Sequence, residues 1–154
     1  MLSPYSSEKR STPYPSVSVI IPTWNRASVL PRALKSVQSQ SLKPKEIIVV
    51  NDGSSDHTTE IVESSFPQVR LIEQTNRGVS AARNVGIAAS TSEFIALLDS
   101  DDEWLPNKLE QQMQSMTATP DSVLSHTDEI WIRNDVRVNP MNKHFKSGGN
   151  IFEQ

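Results

Sequence analysis

From Val17 onward, short apolar runs alternate with segments whose apolar residues recur every three or four positions, and Gly, Pro, Asn or Asp stand at the joints. That rhythm predicts parallel strands joined by helices. Strands are expected at 17–22, 46–51, 69–73 and 93–98. The run at 46–51 is almost continuously apolar, as suits a strand covered on both faces. Pro22 is expected to end the first strand, because proline has no N–H to give to the ladder. Helices are expected at 27–40, 58–65 and 79–89, with another opened by Pro106 and Asn107 and ending near Ala118. In the first of these, Val29, Leu30, Ala33, Leu34 and Val37 make one apolar stripe, with Ser28 as its cap and Pro31 in its first turn. Asp56 is placed to cap the second, and Pro67 to stop it. Two further strands are expected at 122–125 and 129–133. The periodic signal fades after Asp135, and 147–150 reads as an open loop.

The chain has 154 residues, enough for one core and too few for two comfortable domains. Residues 1–15 are rich in Ser, Pro and charge and are expected to form a disordered tail, with no apolar stretch resembling a signal peptide or membrane span. The formal charge is -3, and 15 Lys and Arg are scattered rather than striped, which argues against nucleic acid as a partner. With no cysteine there is neither a disulfide framework nor a thiolate metal site, a pattern that fits a reducing, cytoplasmic compartment.

In a parallel sheet the ligand crevice lies at the carboxyl ends of the strands, and three such ends carry polar clusters here: 23–26, 52–56 and 99–102. Asp99 and Asp101 stand two apart, so in extended chain their carboxylates point to one side, where a hard cation could be shared. An isolated Asp-x-Asp is more often a solvated or helix-capping loop. Likewise Asp52 and Gly53 alone read as a strand-to-helix turn with Gly supplying a positive φ. Arg77 and Arg83 place two guanidiniums near a helix amino end, where an anion is welcome, though both could pair with surface carboxylates. His57, His126 and His144 lack ligand spacing and read as ordinary histidines.

Taken in order, Val17-Ser-Val-Ile-Ile-Pro-Thr-Trp-Asn-Arg26, Val50-Asn-Asp-Gly-Ser-Ser-Asp56, Asn76-Arg-Gly-Val-Ser-Ala-Ala-Arg-Asn84 and Phe94-Ile-Ala-Leu-Leu-Asp-Ser-Asp-Asp102 resemble the family 2 glycosyltransferases, inverting enzymes of the GT-A fold. Trp104 and Pro106 match the aromatic and proline that follow the family's acidic motif. Several motifs in order are far more specific than any one of them, and they outweigh the bland reading of the acidic cluster. They also outweigh a receiver-like phosphoacceptor domain, to which Asp52 at a strand end would otherwise be suited.

The resemblance implies a Rossmann-like, mostly parallel sheet flanked by helices over 16–135, incomplete at its carboxyl end, with 136–154 as an irregular segment. It implies transfer of a sugar, with inversion, from a nucleotide-diphosphate sugar, UDP-sugar favoured, to a glycan or lipid-linked acceptor. A divalent metal, Mn2+ or Mg2+, would accompany the donor. Pro22, Thr23 and Asn25 would line the nucleotide pocket, with Arg83 near the nucleotide. Asp52 would meet the base, Asp99 the ribose or the metal shell, and Asp101 the metal. The family's catalytic base is expected beyond this stretch, which raises the alternative of an inactive metal- and nucleotide-sugar-binding fragment. Asp128 and Glu129 are candidate substitutes for that base, with nothing in the sequence to favour either. Surface polysaccharide assembly at the inner face of a membrane, with peripheral attachment, is the corresponding expectation for location.

Overall fold

A computed structural model of the chain describes residues 14–119, 121–134 and 136–138. Four parallel strands, β1 (Val17–Thr23), β2 (Glu46–Asp52), β3 (Arg70–Gln74) and β4 (Phe94–Leu97), form a sheet in the order β3-β2-β1-β4. The period-2 geometry of a strand divides its residues between two faces. Val19, Ile21, Ile47 and Val49 point to the face covered by α1 (Leu30–Gln38) and α2 (Thr58–Ser65), where they meet Leu30, Ala33, Leu34, Val37, Val62 and Phe66. Ile20, Ile48 and Val50 point to the other face and meet Ala82 of α3 (Val79–Ala89). A third apolar cluster seats α4 (Lys108–Ala118) through Leu109 and Met113 against Val17 and Leu42. Strands apolar on both sides therefore read as continuous runs because helices cover both sides.

Helix α3 sits unusually close to the sheet. A Cβ on Gly86 would collide with Ile20 and come within 3.3 Å of a Val50 methyl, so only glycine fits where the helix rests on β1 and β2. On β4, the edge strand, Ile95 and Leu97 pair with Ser18 and Ile20 on this same face but stay exposed.

Several expectations need correction. Pro22 does not end β1; it stays in register with Val50, and the strand runs on to Thr23. Helix α1 begins at Leu30 rather than at residue 27, and Ser28 does not cap it, since Val29 holds the N-cap position without a side-chain bond. The preceding residues are drawn away by the neighbouring loop, where Ala27 N–H donates to Asp56 Oδ2 at 3.0 Å. Pro31 does sit in the first turn, where its missing N–H costs nothing. Residues 122–125 form no strand, and exposed Val123 and Leu124 explain why: their apolar letters meet no partner face. In 129–133 the strand is short, β5 (Trp131–Arg133), and it pairs antiparallel with β6 (Val136–Val138), a strand the sequence pattern does not announce. The tail expected at 1–15 lies outside the described residues apart from Tyr14 and Pro15, as do the loop at 147–150 and His144.

Candidate functional site

The loops leaving β1, β2, β3 and β4 at their carboxyl ends enclose a cleft of about 540 Å³. Pro22, Thr23, Asp52, Arg83, Asp99 and Asp101 all line it, together with Trp24, Arg26, Asn76, Gly78, Val79, Ala82 and Ser100. Asn25 is the exception among the residues that the resemblance assigns to the nucleotide and the metal. Its left-handed backbone (φ 51) turns it toward the β2 exit, where its side-chain oxygen accepts from Ser55 N–H at 2.8 Å and its own N–H donates to Ser54 Oγ at 2.9 Å. Together with the Ala27 to Asp56 bond, this ties the first two strand-exit loops into one wall.

Asp52 is 3% exposed, and its carboxylate is the hub of the cleft floor. Oδ1 accepts from Gln74 Nε2 at 2.6 Å and from Arg77 N–H at 2.9 Å, and Oδ2 accepts from Gly78 N–H at 2.8 Å. Burial pushes this carboxyl up, but the Gln74 amide and the two main-chain donors outweigh it, and the group lies below the usual aspartate value. Gly53 follows with φ 75, and a Cβ there would stand 2.9 Å from the Asn76 nitrogen. The tight turn read from sequence is thus required twice, by the backbone angle and by the close passage of the β3 exit. That exit delivers Gly78 to the amino end of α3, which carries no acidic residue in its first turn and no side-chain cap. Its N–H groups and dipole favour an anion in the cleft.

The β4 exit is built differently. Asp99 through Asp102 form a turn closed by Asp102 N–H donating to Asp99 O at 3.1 Å. Asp99 Oδ1 receives Arg83 Nη2 at 2.5 Å, and Asp101 has a looser ion pair, with Arg26 at 3.8 Å. Asp102 is pushed above the usual aspartate value by burial and then by the charges of Asp101, Asp99 and Glu129, against the partial relief of Arg32. Glu129, one of the two carboxylates considered as a base, therefore lies within electrostatic reach of this turn; it also accepts from Trp131 Nε1 at 3.1 Å. Crowded negative charge with one lightly held carboxylate suits a divalent cation. Among the described residues no three acidic, His or Cys side chains converge, so a cation here would take one or two carboxylates from the chain and its remaining oxygens from ligand and water.

Two buried polar atoms on the cleft wall, Thr23 Oγ1 and Arg83 Nε, have no hydrogen-bond partner among the described residues. Buried polar groups are ordinarily satisfied, so such orphans on a cleft wall mark where a polar ligand can dock. His57, by contrast, is an exposed side chain paired with Glu60 at 2.9 Å, far from metal-ligand chemistry.

Sequence reasoning missed the clasp that holds the β4 exit against α1. Gln40 is fully buried; its Nε2 donates to Leu105 O at 2.8 Å and its Oε1 accepts from Leu109 N–H at 2.9 Å. Ser36 Oγ accepts from Trp104 N–H at 3.1 Å. The available signal is the apolar stripe of α1: Ser36 falls on its flank, and Gln40 follows two residues after the helix ends. Trp24 was also passed over as a lining residue; it is 55% exposed on the cleft wall, and a large exposed aromatic beside a polar cleft is itself a signal.

Fold and cleft together define an α/β protein of the doubly wound kind whose strand ends share one polar cleft that suits an anionic ligand. Likeness to known proteins narrows that class. Residues 18–151 match the family described as Glycosyl transferase family 2. The uncharacterized glycosyltransferase alr2836 of Nostoc sp. is 39% identical over 120 residues, covering 74% of this chain and 37% of the relative. The Escherichia coli protein named UDP-Glc:alpha-D-GlcNAc-diphosphoundecaprenol beta-1,3-glucosyltransferase WfgD is 34% identical over 122 residues, 78% of this chain and 48% of its own length. Among solved structures, S. aureus TarS 1-349 in complex with UDP-GlcNAc superposes with a TM-score of 0.60 at 32% identity, covering 67% of this chain and 31% of that one. The chain belongs to the family 2 glycosyltransferases, and its sheet is the parallel part of the GT-A fold. It spans between about a third and a half of the length of the two curated relatives described here.

Proposed function

We propose that this chain forms the donor-binding part of an inverting glycosyltransferase that takes a nucleotide-diphosphate sugar, UDP-sugar favoured, and serves a glycan or lipid-linked acceptor. The observation that carries this reading is the meeting of Asp52, Arg83, Asp99 and Asp101 on one cleft together with the open amino end of α3. TarS is known in complex with UDP-GlcNAc, and WfgD is named for a diphosphoundecaprenol-linked acceptor, which supports both halves of the proposal.

Each residue has a task that follows from its chemistry. Trp24 offers a flat face and Pro22 and Thr23 an edge for the nucleoside, with the orphan Thr23 hydroxyl free to bond to it. Asp52 fixes the cleft floor and retains a lone pair for the ring N–H of a uracil. Asn25 serves from behind, holding the wall against Ser55. Arg83 and the amino end of α3 favour the diphosphate, and Asp99 orients Arg83. Asp101, with Asp99 in its surroundings, would hold Mn2+ or Mg2+, which when bound supplies positive charge against the departing diphosphate. A lipid-linked acceptor would be met at the inner face of a membrane, with the protein attached peripherally; no helix among the described residues is long and apolar enough to cross one.

Calorimetric titration with UDP and then GDP, with and without MnCl2, tests the reading. Metal-dependent UDP binding that disappears in Asp101→Ala is expected. A folded chain that binds neither nucleotide would overturn it.

A further inference from the structure

We infer that Arg32, on α1 and outside the cleft's lining, is the positioning residue that holds the backbone from which the Asp101 carboxylate projects into the cleft. The inference rests on the metal-assisted reading of the cleft given above. Arg32 Nη2 donates to the main-chain oxygen of Asp101 at 2.8 Å, and its Nε pairs with Glu103 Oε1 at 2.8 Å. One planar guanidinium thus holds two points of the turn, on either side of Asp102. On the amino-terminal side the turn is closed by the Asp102 N–H to Asp99 O bond, and beyond Glu103 it is anchored by Trp104 N–H on Ser36. The peptide following Asp101 is therefore pinned at its oxygen by Arg32 and at its nitrogen by Asp99. Holding that peptide plane inside a closed turn narrows the directions in which the Asp101 side chain can leave the backbone.

The side chain of Asp101 itself has little to hold it. Arg26 stands 3.8 Å away, and both members of that pair are more than half exposed. Arg32 and Glu103 are equally exposed, so their pairing adds little to global stability. The contribution of Arg32 is local order at a would-be metal ligand, the kind of support whose loss typically weakens metal binding about 10-fold or more.

The experiment has two arms on wild type, Arg32→Ala and Arg32→Lys. In the first, amide hydrogen exchange is followed without ligand. Exchange of the Asp102 amide and its neighbours in 99–103 is expected to speed up about 10-fold in Arg32→Ala, with α1 and the sheet unchanged and Tm within about 2 °C. In the second, UDP is titrated with and without MnCl2. The Mn2+-dependent gain in affinity is expected to shrink about 10-fold while metal-free UDP affinity holds. Arg32→Lys should recover little in either arm, since one ammonium cannot grasp both the Asp101 oxygen and the Glu103 carboxylate. Unchanged exchange at Asp102 in Arg32→Ala overturns the inference. A wild type without Mn2+-dependent UDP binding overturns the functional reading instead, and the exchange arm still decides the role of Arg32.

Discussion

At the exit of β2, the Asp52 carboxylate meets three donors within 2.9 Å, whereas at the exit of β4 the Asp101 carboxylate is paired with the Arg26 guanidinium at 3.8 Å. Both carboxylates line the same cleft. The first serves mainly architecture: it gathers Gln74, Arg77 and Gly78 and so carries the amino end of α3 into place, which leaves about one of its acceptor sites for a base. The second is held by its backbone and left open at its side chain. The number of donors already on a carboxylate sets how much of it remains for a ligand.

The contrast can be broken most severely at Asp52. Asp52→Ala strands two main-chain N–H groups and the Gln74 amide in a part-buried setting, and a loss of about 3 kcal/mol is expected in urea unfolding. A loss under about 1 kcal/mol would show that the loop does not depend on this hub. Next comes Gly53→Ala, which forces a Cβ onto the Asn76 nitrogen at a φ of 75; about 2 kcal/mol is expected from the same measurement.

The pH response sharpens the comparison further. Asp52 and Asp56 both lie below the ordinary 3.8 because their bonds to Gln74, Arg77, Gly78, Ala27 and Thr58 outweigh burial. Their stabilisation is present above pH 3.8, where the unfolded groups are ionised, and is lost as pH falls through the depressed folded values. Thermal melts between about pH 6 and 2 should show that loss, with a shallower slope in Asp52→Asn. Smallest of all in stability is Asp101→Asn, expected within about 0.5 kcal/mol of wild type although it abolishes Mn2+-dependent UDP binding. A marked drop in Tm for that variant would erase the distinction between the two loops.

Much of this was legible in the letters. Apolar runs and three- or four-residue spacing predict all four parallel strands and all four helices, because burial of a periodic stripe is what forms them. The convergence of polar strand ends follows from the parallel topology. What the letters hide is which polar residues are satisfied inside. Ser36 and Gln40 look like the solvated flank of α1, yet Gln40 is fully buried on the chain of α4. Ser28 looks like a cap, but its neighbours are claimed by Asp56 from another loop. Such outcomes depend on which segments meet, and spacing along one segment does not contain that information.

Gly86 gives α3 a bare resting point on Ile20 and Val50. Arg83 lies about one turn closer to the cleft on the same helix. A methyl group inserted at position 86 would act as a shim beneath a lever, lifting the helix and swinging the Arg83 guanidinium away from Asp99. On the proposed reading of the cleft, the grip on a diphosphate would thus be adjustable from the floor of the core, by thickness alone, without altering any group that touches it.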